Sequence, residues 1–260
     1  MPDADGNAAL LAETVRDAGE LALRMQGTAL REWTKGASSP VSEADIAVND
    51  LIESRLKAAR PDYGWLSEES EDDTSRLGKP LTWIIDPIDG TRGYLAGRKD
   101  WCVSAALVDD AGPLLAAVFA PVTREFFFAQ RGSGATLNDR ILQATSGTAL
   151  NFARIAGPKP LVERLSAHRD ITLYPRIGSL ALRLCRVADG TLDAAFAGGS
   201  SKDWDLAAAD LIVQEADGRL TELVGNPISY NRRDVTHGTL VAAGRQRHQH
   251  IVARFRGQPL

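Results

Sequence analysis

The chain has 260 residues, 44% of them hydrophobic, which suffices for one large domain or two closely fused ones and excludes disorder as the default. Its 30 basic and 34 acidic side chains are interspersed to a formal net charge of -4, so the expected partner is a small molecule, not a nucleic acid polymer or a membrane. The start, MPDADGNAALLAETV, lacks the features of a signal peptide and no run of about 20 apolar residues occurs, which predicts a soluble cytoplasmic protein.

Residues 8 to 33 read as an amphipathic helix, with Leu10, Leu11, Val15, Ala18, Leu21, Ala22 and Met25 at three-and-four spacing. A second helix begins in SPVSEAD, where Ser42 can cap, Glu43 and Asp45 favour the positive first turn, and Ile46, Asn49, Ile52 and Leu56 continue one side until Pro61. From about 63 to 130, short β-rich runs (YGWLSEE, TWIID, WCVSAALVDD, LLAAVFAP, EFFFAQ) predict an antiparallel meander. The second half alternates strands in ARIAG, ITLYP, LDAAFAG and GTLVAAG with helices over 159–168, 179–189 and 204–216, a layered α/β pattern. The loop-like stretch 138–151 is the expected seam between an N-terminal α+β half, residues 1–145, and a C-terminal α/β half, residues 146–260. Cys102 and Cys185 sit in apolar stretches without metal-ligand spacing and read as reduced core thiols.

The stretch WIIDPIDGTRGY carries the chemistry. In a regular strand Asp86 and Asp89 would lie about 10 Å apart on opposite faces. A chain turning at Pro87-Ile88 and again at Gly90 would let both carboxylates converge, and convergent carboxylates suggest a metal. Other acids fall at ends of predicted elements: Asp45, Glu68 with Glu69, and Asp205 in KDWDLAAAD. Each has a bland reading when taken alone, Asp45 and Asp205 as helix N-terminal acids and the glutamates as part of a solvated acidic loop. Together they supply the oxygen ligands that Mg²⁺ demands, with substrate phosphate completing the shell. Gly90 permits close backbone approach, and the Gly90 and Thr91 N–H groups could cradle a phosphate.

SEE at 67–69, WIIDPIDGT at 83–91 and WDLAAADLIVQEADG at 204–218, with SPVSEAD near the front, resemble the inositol monophosphatase superfamily of Mg²⁺-dependent, typically lithium-sensitive phosphomonoesterases. The resemblance implies a five-layer α-β-α-β-α sandwich and two or three Mg²⁺ ions. It implies Glu68, Asp86, Asp89 and Asp205 as metal ligands with the Ile88 backbone carbonyl, and Gly90 and Thr91 as the phosphate-binding turn. The Thr91 hydroxyl, paired with Asp45, would orient the attacking water for in-line hydrolysis without a covalent enzyme intermediate, with Glu68 also at the reacting centre. A homodimer is left open.

Substrate choice is read elsewhere. Inositol monophosphatases resemble one another in an acid several positions before the WD motif, where this chain has Gly198. PISYNRRDVTHGTLVAAG, SPVSEAD and FAPVTREFFFA look more like the 3′(2′),5′-bisphosphate nucleotidase branch, which acts on 3′-phosphoadenosine 5′-phosphate. A second phosphate would need cations, and Arg92, Arg176, Arg183 and Lys202 are the candidates, each with a plain ion-pair role as the bland alternative. Rival readings are an inositol or sugar phosphatase and, from another class, a catalytically weak phospholigand-binding regulatory protein. His168, His237, His248 and His250 show no ligand spacing and read as solvated or helix-end residues, and the tryptophans beside the motifs read as core support.

Overall fold

Leu11, Val15, Ala18 and Ala22 share one face of a helix and are fully buried, so the first segment folds as the amphipathic α1 (Ala4–Met25). The computed structural model describes residues 4–35, 39–166 and 170–256. α1 stops well short of residue 33: Gly27 takes a left-handed φ of +80°, and the Thr28 hydroxyl donates to the Met25 carbonyl at 2.7 Å. The chain instead forms β1 (Glu32–Lys35), paired antiparallel with β2 (Ser39–Ser42). α2 (Glu43–Ala59) starts in a capping box: the Ser42 hydroxyl accepts from the Ala44 N–H, and the Asp45 carboxylate takes both the Ser42 N–H and its hydroxyl. Its buried stripe is Val48, Ile52 and Leu56, while Ile46 is only half-buried.

Next come β3 (Gly64–Ser67), β4 (Thr82–Asp89), the short α3 (Thr91–Leu95), β5 (Cys102–Asp109), β6 (Gly112–Ala120), β7 (Glu125–Gln130), β8 (Gly134–Leu137) and β9 (Arg140–Ile141), which form one seven-stranded sheet in sequence order. The expected meander holds from β4 onward, but β3 runs parallel to β4 because residues 68–81 carry the chain back across the sheet before β4 begins. Parallel pairing leaves the C-terminal ends of both strands at one end of the sheet.

The second sheet is built from β10 (Arg154–Ala156), α4 (Lys159–Ser166), β11 (Thr172–Leu173), α5 (Leu180–Ala188), β12 (Ala194–Ala197), β13 (Ser201–Lys202), α6 (Asp203–Glu215), β14 (Gly218–Glu222), β15 (Thr236–His237), β16 (Leu240–Gly244) and α7 (Arg245–Phe255). Its five strands lie in the order β11-β10-β12-β16-β14, with β10 parallel to both neighbours and β16 antiparallel to both of its own. Residues 167 and 168, the end of the predicted helix 159–168, lie outside the described residues. β14 and α7 have no counterpart among the predicted elements. The α7 sequence RQRHQHIVARF is mostly polar, yet Arg247, His248, Ile251, Val252 and Phe255 are buried.

Strand alternation assigns the layers. On β5, Val103, Ala105 and Leu107 pack into a core with α1 and α2, whereas Cys102, Ala106 and Val108 face a second core with α5 and α6. On β16, Leu240 and Ala242 join that second core from the other side, and Val241 and Ala243 face a third with α4 and α7. The order is α1/α2, seven-stranded sheet, α5/α6, five-stranded sheet, α4/α7: an α-β-α-β-α sandwich. Both faces of each sheet are covered, so the strands read as nearly continuous apolar runs. α6, between the sheets, is buried from Leu206 through Val213. Among the described residues no helix is long and apolar enough to cross a membrane.

Candidate active site

Asp86 and Asp89 reach one face by a β-bulge, not by the expected turn at Pro87-Ile88. Asp86 stands opposite Ser104 and Asp89 opposite Cys102, so three steps along β4 match two along β5. The extra residue restores the parity that a three-residue separation would break, and Pro87, lacking an N–H, sits in the interrupted part of the ladder. The strand ends at Asp89, and the chain turns at Gly90 with φ +98°. A Cβ there would lie 3.1 Å from the Asp100 carbonyl and 3.2 Å from the Ser179 nitrogen, so this turn needs glycine twice over.

Two further acids approach from other elements. Glu68 follows β3 directly, its N–H donating to the Ile85 carbonyl at 3.2 Å, so the parallel β3–β4 pair sets it beside Asp86. Asp205 lies in the first turn of α6, where its Oδ2 accepts the Lys202 N–H at 2.6 Å. Carboxylate oxygens of Asp86, Asp89 and Asp205 lie within 4.8 Å of one another; Glu68 lines the same cavity outside that trio. Asp89 also ties the layers together. Its Oδ2 accepts from the Ser179 hydroxyl and the Ala181 N–H, both at 2.6 Å, and its Oδ1 from the Leu180 N–H at 3.2 Å, so it caps α5 from 90 residues away.

Electrostatics test whether a cation fits. Burial and then the carboxylates of Asp205, Glu69 and Asp89 push Glu68 up to about 8, and burial followed by Asp89 pushes Asp205 up to about 7. Asp86 is raised well above the usual carboxylate range by burial and then by Glu68, Asp89 and Asp205; burial also raises Asp89 against its hydrogen bonds. Among the described residues no lysine or arginine forms an ion pair with Asp86, Asp89 or Asp205. An all-oxygen set of buried, mutually repelling acids fits a hard divalent cation, which would relieve the repulsion that protons relieve otherwise.

The Thr91 hydroxyl lies 3.2 Å from Asp45 Oδ1 and 3.0 Å from the Ile88 carbonyl, with one proton to give. Asp45 Oδ2 is already occupied by the Ser42 N–H and hydroxyl, so the capping box aims Oδ1 at Thr91. Helix start and candidate proton acceptor are thus the same carboxylate, and burial raises its pKa. Ile88, Gly90 and Thr91 all line the cavity.

The cavity is about 1040 Å³, and Arg92, Arg176 and Lys202 all line it. Lys202 Nζ donates to Thr236 Oγ1 at 2.6 Å. Arg183 does not line it; burial pushes this guanidinium down, with the Asp89 charge opposing. Two cations without any mark in the local sequence also line the wall: Lys35, which donates to the Glu68 carbonyl, and Arg98, paired with Asp100. The Lys35 contact is tertiary, across 33 residues, whereas Arg98 pairs with a neighbour two residues away and only the fold turns it to the cavity. Ser179, the first residue of the predicted helix 179–189, is the N-cap of α5, and nothing local marks it as the partner of Asp89.

His237 and His248 are buried rather than solvated. His237 Nε2 lies 2.6 Å from Asp203 Oδ1; His248 Nε2 lies 2.9 Å from Thr221 Oγ1, and burial pushes it down to about 4, hence neutral. Neither lines the cavity. His250 is half-buried, and His168 lies outside the described residues. Trp83 and Trp101 are core residues as expected, Trp204 is half-buried on the cavity wall, and both cysteines are buried free thiols.

A convergent carboxylate cluster beside a Thr–Asp pair, on a five-layer scaffold, defines a metal-dependent phosphoester hydrolase. The chain belongs to the inositol monophosphatase family, whose model matches residues 6–259. It is 35% identical over 228 residues to the Nus factor SuhB of Xylella fastidiosa, covering 83% of this chain and 82% of that protein. It is 37% identical over 201 residues to the inositol-1-monophosphatase of Rhizobium meliloti, covering 74% and 75%. The crystal structure of the extragenic suppressor protein SuhB from Bartonella henselae superposes with a TM-score of 0.84 at 27% identity, covering 96% of this chain and 98% of that one. The chain is accordingly a phosphoric monoester hydrolase of small phosphorylated substrates, in a family that depends on metal, usually Mg²⁺.

Proposed function

We propose that this chain is a cytoplasmic 3′(2′),5′-bisphosphate nucleotidase that removes the 3′-phosphate of 3′-phosphoadenosine 5′-phosphate to give AMP, with no nucleic acid polymer as partner. The cavity carries this assignment. At about 1040 Å³ it sits at the upper end of small-molecule sites, and its wall holds Arg92, Arg176 and Lys202 beyond the acids, more positive charge than one scissile phosphate requires. Gly198 offers no carboxylate to a polyol ahead of α6.

Glu68, Asp86, the Ile88 carbonyl, Asp89 and Asp205 would hold two or three Mg²⁺ ions, which when bound neutralise phosphate oxygens and lower the pKa of water. The Thr91 hydroxyl donates to Asp45 Oδ1, leaving an oxygen lone pair to accept a proton from the attacking water, and Asp45, clamped by Ser42, takes up the charge. The Gly90 and Thr91 backbone faces the phosphate, and Arg92, Arg176 and Lys202 hold the second phosphate. Water attacks in line with the departing ribose oxygen, and no residue is acylated or phosphorylated. The site lies where an N-terminal half, residues 1–145, meets a C-terminal half, residues 146–260. Lithium inhibition accompanies this site, and a homodimer is compatible with it.

The name of the Rhizobium meliloti relative favours a second reading, inositol 1-phosphate or a sugar phosphate as substrate. A catalytically weak phospholigand-binding role has less support, because every acid of the constellation is present. Phosphate release in Mg²⁺ from 3′-phosphoadenosine 5′-phosphate, inositol 1-phosphate and fructose 1,6-bisphosphate separates the three. A kcat/KM preference of about a hundredfold for the nucleotide, worth about 2.7 kcal/mol, is expected. An inositol preference or a flat profile overturns the substrate, and no release from any ester restores the binding-protein reading.

A further inference from the structure

The connection from β3 to β4 and the loop from β14 to β15 meet in a polar network, built around the buried Arg76, Asp203 and His237, that the proposed chemistry does not use. Arg76 is fully buried: its Nε and Nη2 donate to Asp72 Oδ1 and Oδ2 at 3.0 and 2.7 Å, and its Nη1 donates to Asn231 Oδ1 at 2.7 Å. Asn231 donates from Nδ2 to Thr82 Oγ1 at 3.1 Å, at the start of β4, and from its backbone N–H to Asp203 Oδ2 at 2.7 Å. The other Asp203 oxygen lies 2.6 Å from His237 Nε2, and the two side chains are 0% and 3% exposed. One end of this chain of contacts is the loop that leaves Glu68; the other is the first residue of α6, two before Asp205.

α6 packs between the two sheets through apolar side chains, Leu206, Ala207, Ala208, Ala209, Leu211 and Ile212 among them, and apolar contact is non-directional, so by itself it does not aim the helix's first turn. A metal centre tolerates about 0.5 Å of ligand displacement. Directional hydrogen bonds to a buried carboxylate supply the missing constraint, since Asp203 cannot move without leaving one of its oxygens unpaired in the interior. The β13–β15 pair, Ser201 opposite His237 and Lys202 opposite Thr236, anchors the same turn from the other side.

We propose that Arg76, Asn231, Asp203 and His237 form a positioning network for the metal centre, setting the first turn of α6, and so Asp205, against the strand ends that carry Glu68 and Asp86. The proposal rests on the reading of Asp205 as a metal ligand. None of the four is a catalytic residue, and their effect is to be read in metal affinity.

The test is Mn²⁺ binding without substrate, followed by the electron paramagnetic resonance of the free ion, on the unaltered protein and on Asp205→Ala, His237→Ala, His237→Gln and Asn231→Ala. His237→Ala and Asn231→Ala are expected to weaken Mn²⁺ binding about tenfold to a hundredfold, while KM for substrate at saturating metal stays unchanged. His237→Gln, whose amide can donate to Asp203, is expected to recover most of the affinity. Asn231→Ala keeps the backbone donor to Asp203, so it tests the network if His237→Ala fails to fold. Folded variants with unaltered Mn²⁺ affinity overturn the proposal even if their melting temperatures fall, because a purely structural role moves stability alone. If Asp205→Ala binds Mn²⁺ as tightly as the unaltered protein, the metal-centre reading fails and the proposal falls with it.

Discussion

Stripping Mg²⁺ with EDTA is expected to make stability fall as pH rises from about 6.5 to about 8. Glu68, ordinarily near 4.5, is pushed up to about 8, and Asp205, ordinarily near 3.8, to about 7, in each case by burial first and neighbouring carboxylates second. The metal-free folded chain therefore holds protons that the unfolded chain has released. Each such proton lowers stability by about 1.4 kcal/mol per pH unit. Near pH 7 Glu68 keeps nearly a whole proton and Asp205 about half of one, so these two acids contribute about 2 kcal/mol per pH unit, a share that shrinks above pH 8. Below 6.5 the buried His248, with a folded value of about 4, opposes the trend by at most about 1.4 kcal/mol per pH unit and offsets only part of it, so the acids are read most cleanly above 6.5. Mg²⁺ needs these carboxylates deprotonated, so its stabilisation should grow across the same window. Urea unfolding across the window, in EDTA and in saturating Mg²⁺, reads both trends. A metal-free stability that is flat or rises with pH, together with a pH-independent Mg²⁺ effect, would refute the picture of buried acids that share protons until a cation replaces them.

Thr91→Ala should lower kcat about 10² to 10⁴-fold with KM little changed, because proton transfer from the attacking water matters in the transition state; an unaltered kcat removes Thr91 from the mechanism. Asp89→Asn should abolish activity and also cost about 1–3 kcal/mol in urea unfolding, since the Ser179 hydroxyl and the Ala181 N–H lose a charged acceptor. An active Asp89→Asn enzyme refutes its place among the ligands. Arg176→Ala should raise KM for 3′-phosphoadenosine 5′-phosphate about tenfold and leave inositol 1-phosphate unaffected, and equal losses on both would separate Arg176 from the second phosphate.

The elements with strong local signals were legible in the chain. β4 and β5 announce themselves as apolar runs ended by acids, and α2 by its Ser42–Asp45 capping box. α7 was not, because its helical face buries Arg247 and His248, whose hydrogen-bond partners, including the Thr145 and Thr221 side chains, are more than 25 residues away. α1 read too long because apolar spacing continues past the point where Gly27 reverses the backbone. The histidines read as solvated or helix-end residues because a lone polar residue carries no mark of the partner that will bury it, and Asp203 reaches His237 across 34 residues.

Asp45, Asp86, Asp89, Thr91 and Asp205 could be picked from the chain because each sits beside a glycine, a proline or a helix start, features with local physical causes. How they meet was decided by the tertiary structure. The bulge at Pro87-Ile88 depends on pairing with β5, the position of Glu68 depends on β3 running parallel to β4, and the hold on Asp89 depends on the N-terminus of α5 arriving from 90 residues away. Local sequence determines which residues can turn, cap or carry charge. Only the packed sheets bring like charges together against their repulsion, because the energy that holds them comes from burial spread over the whole core.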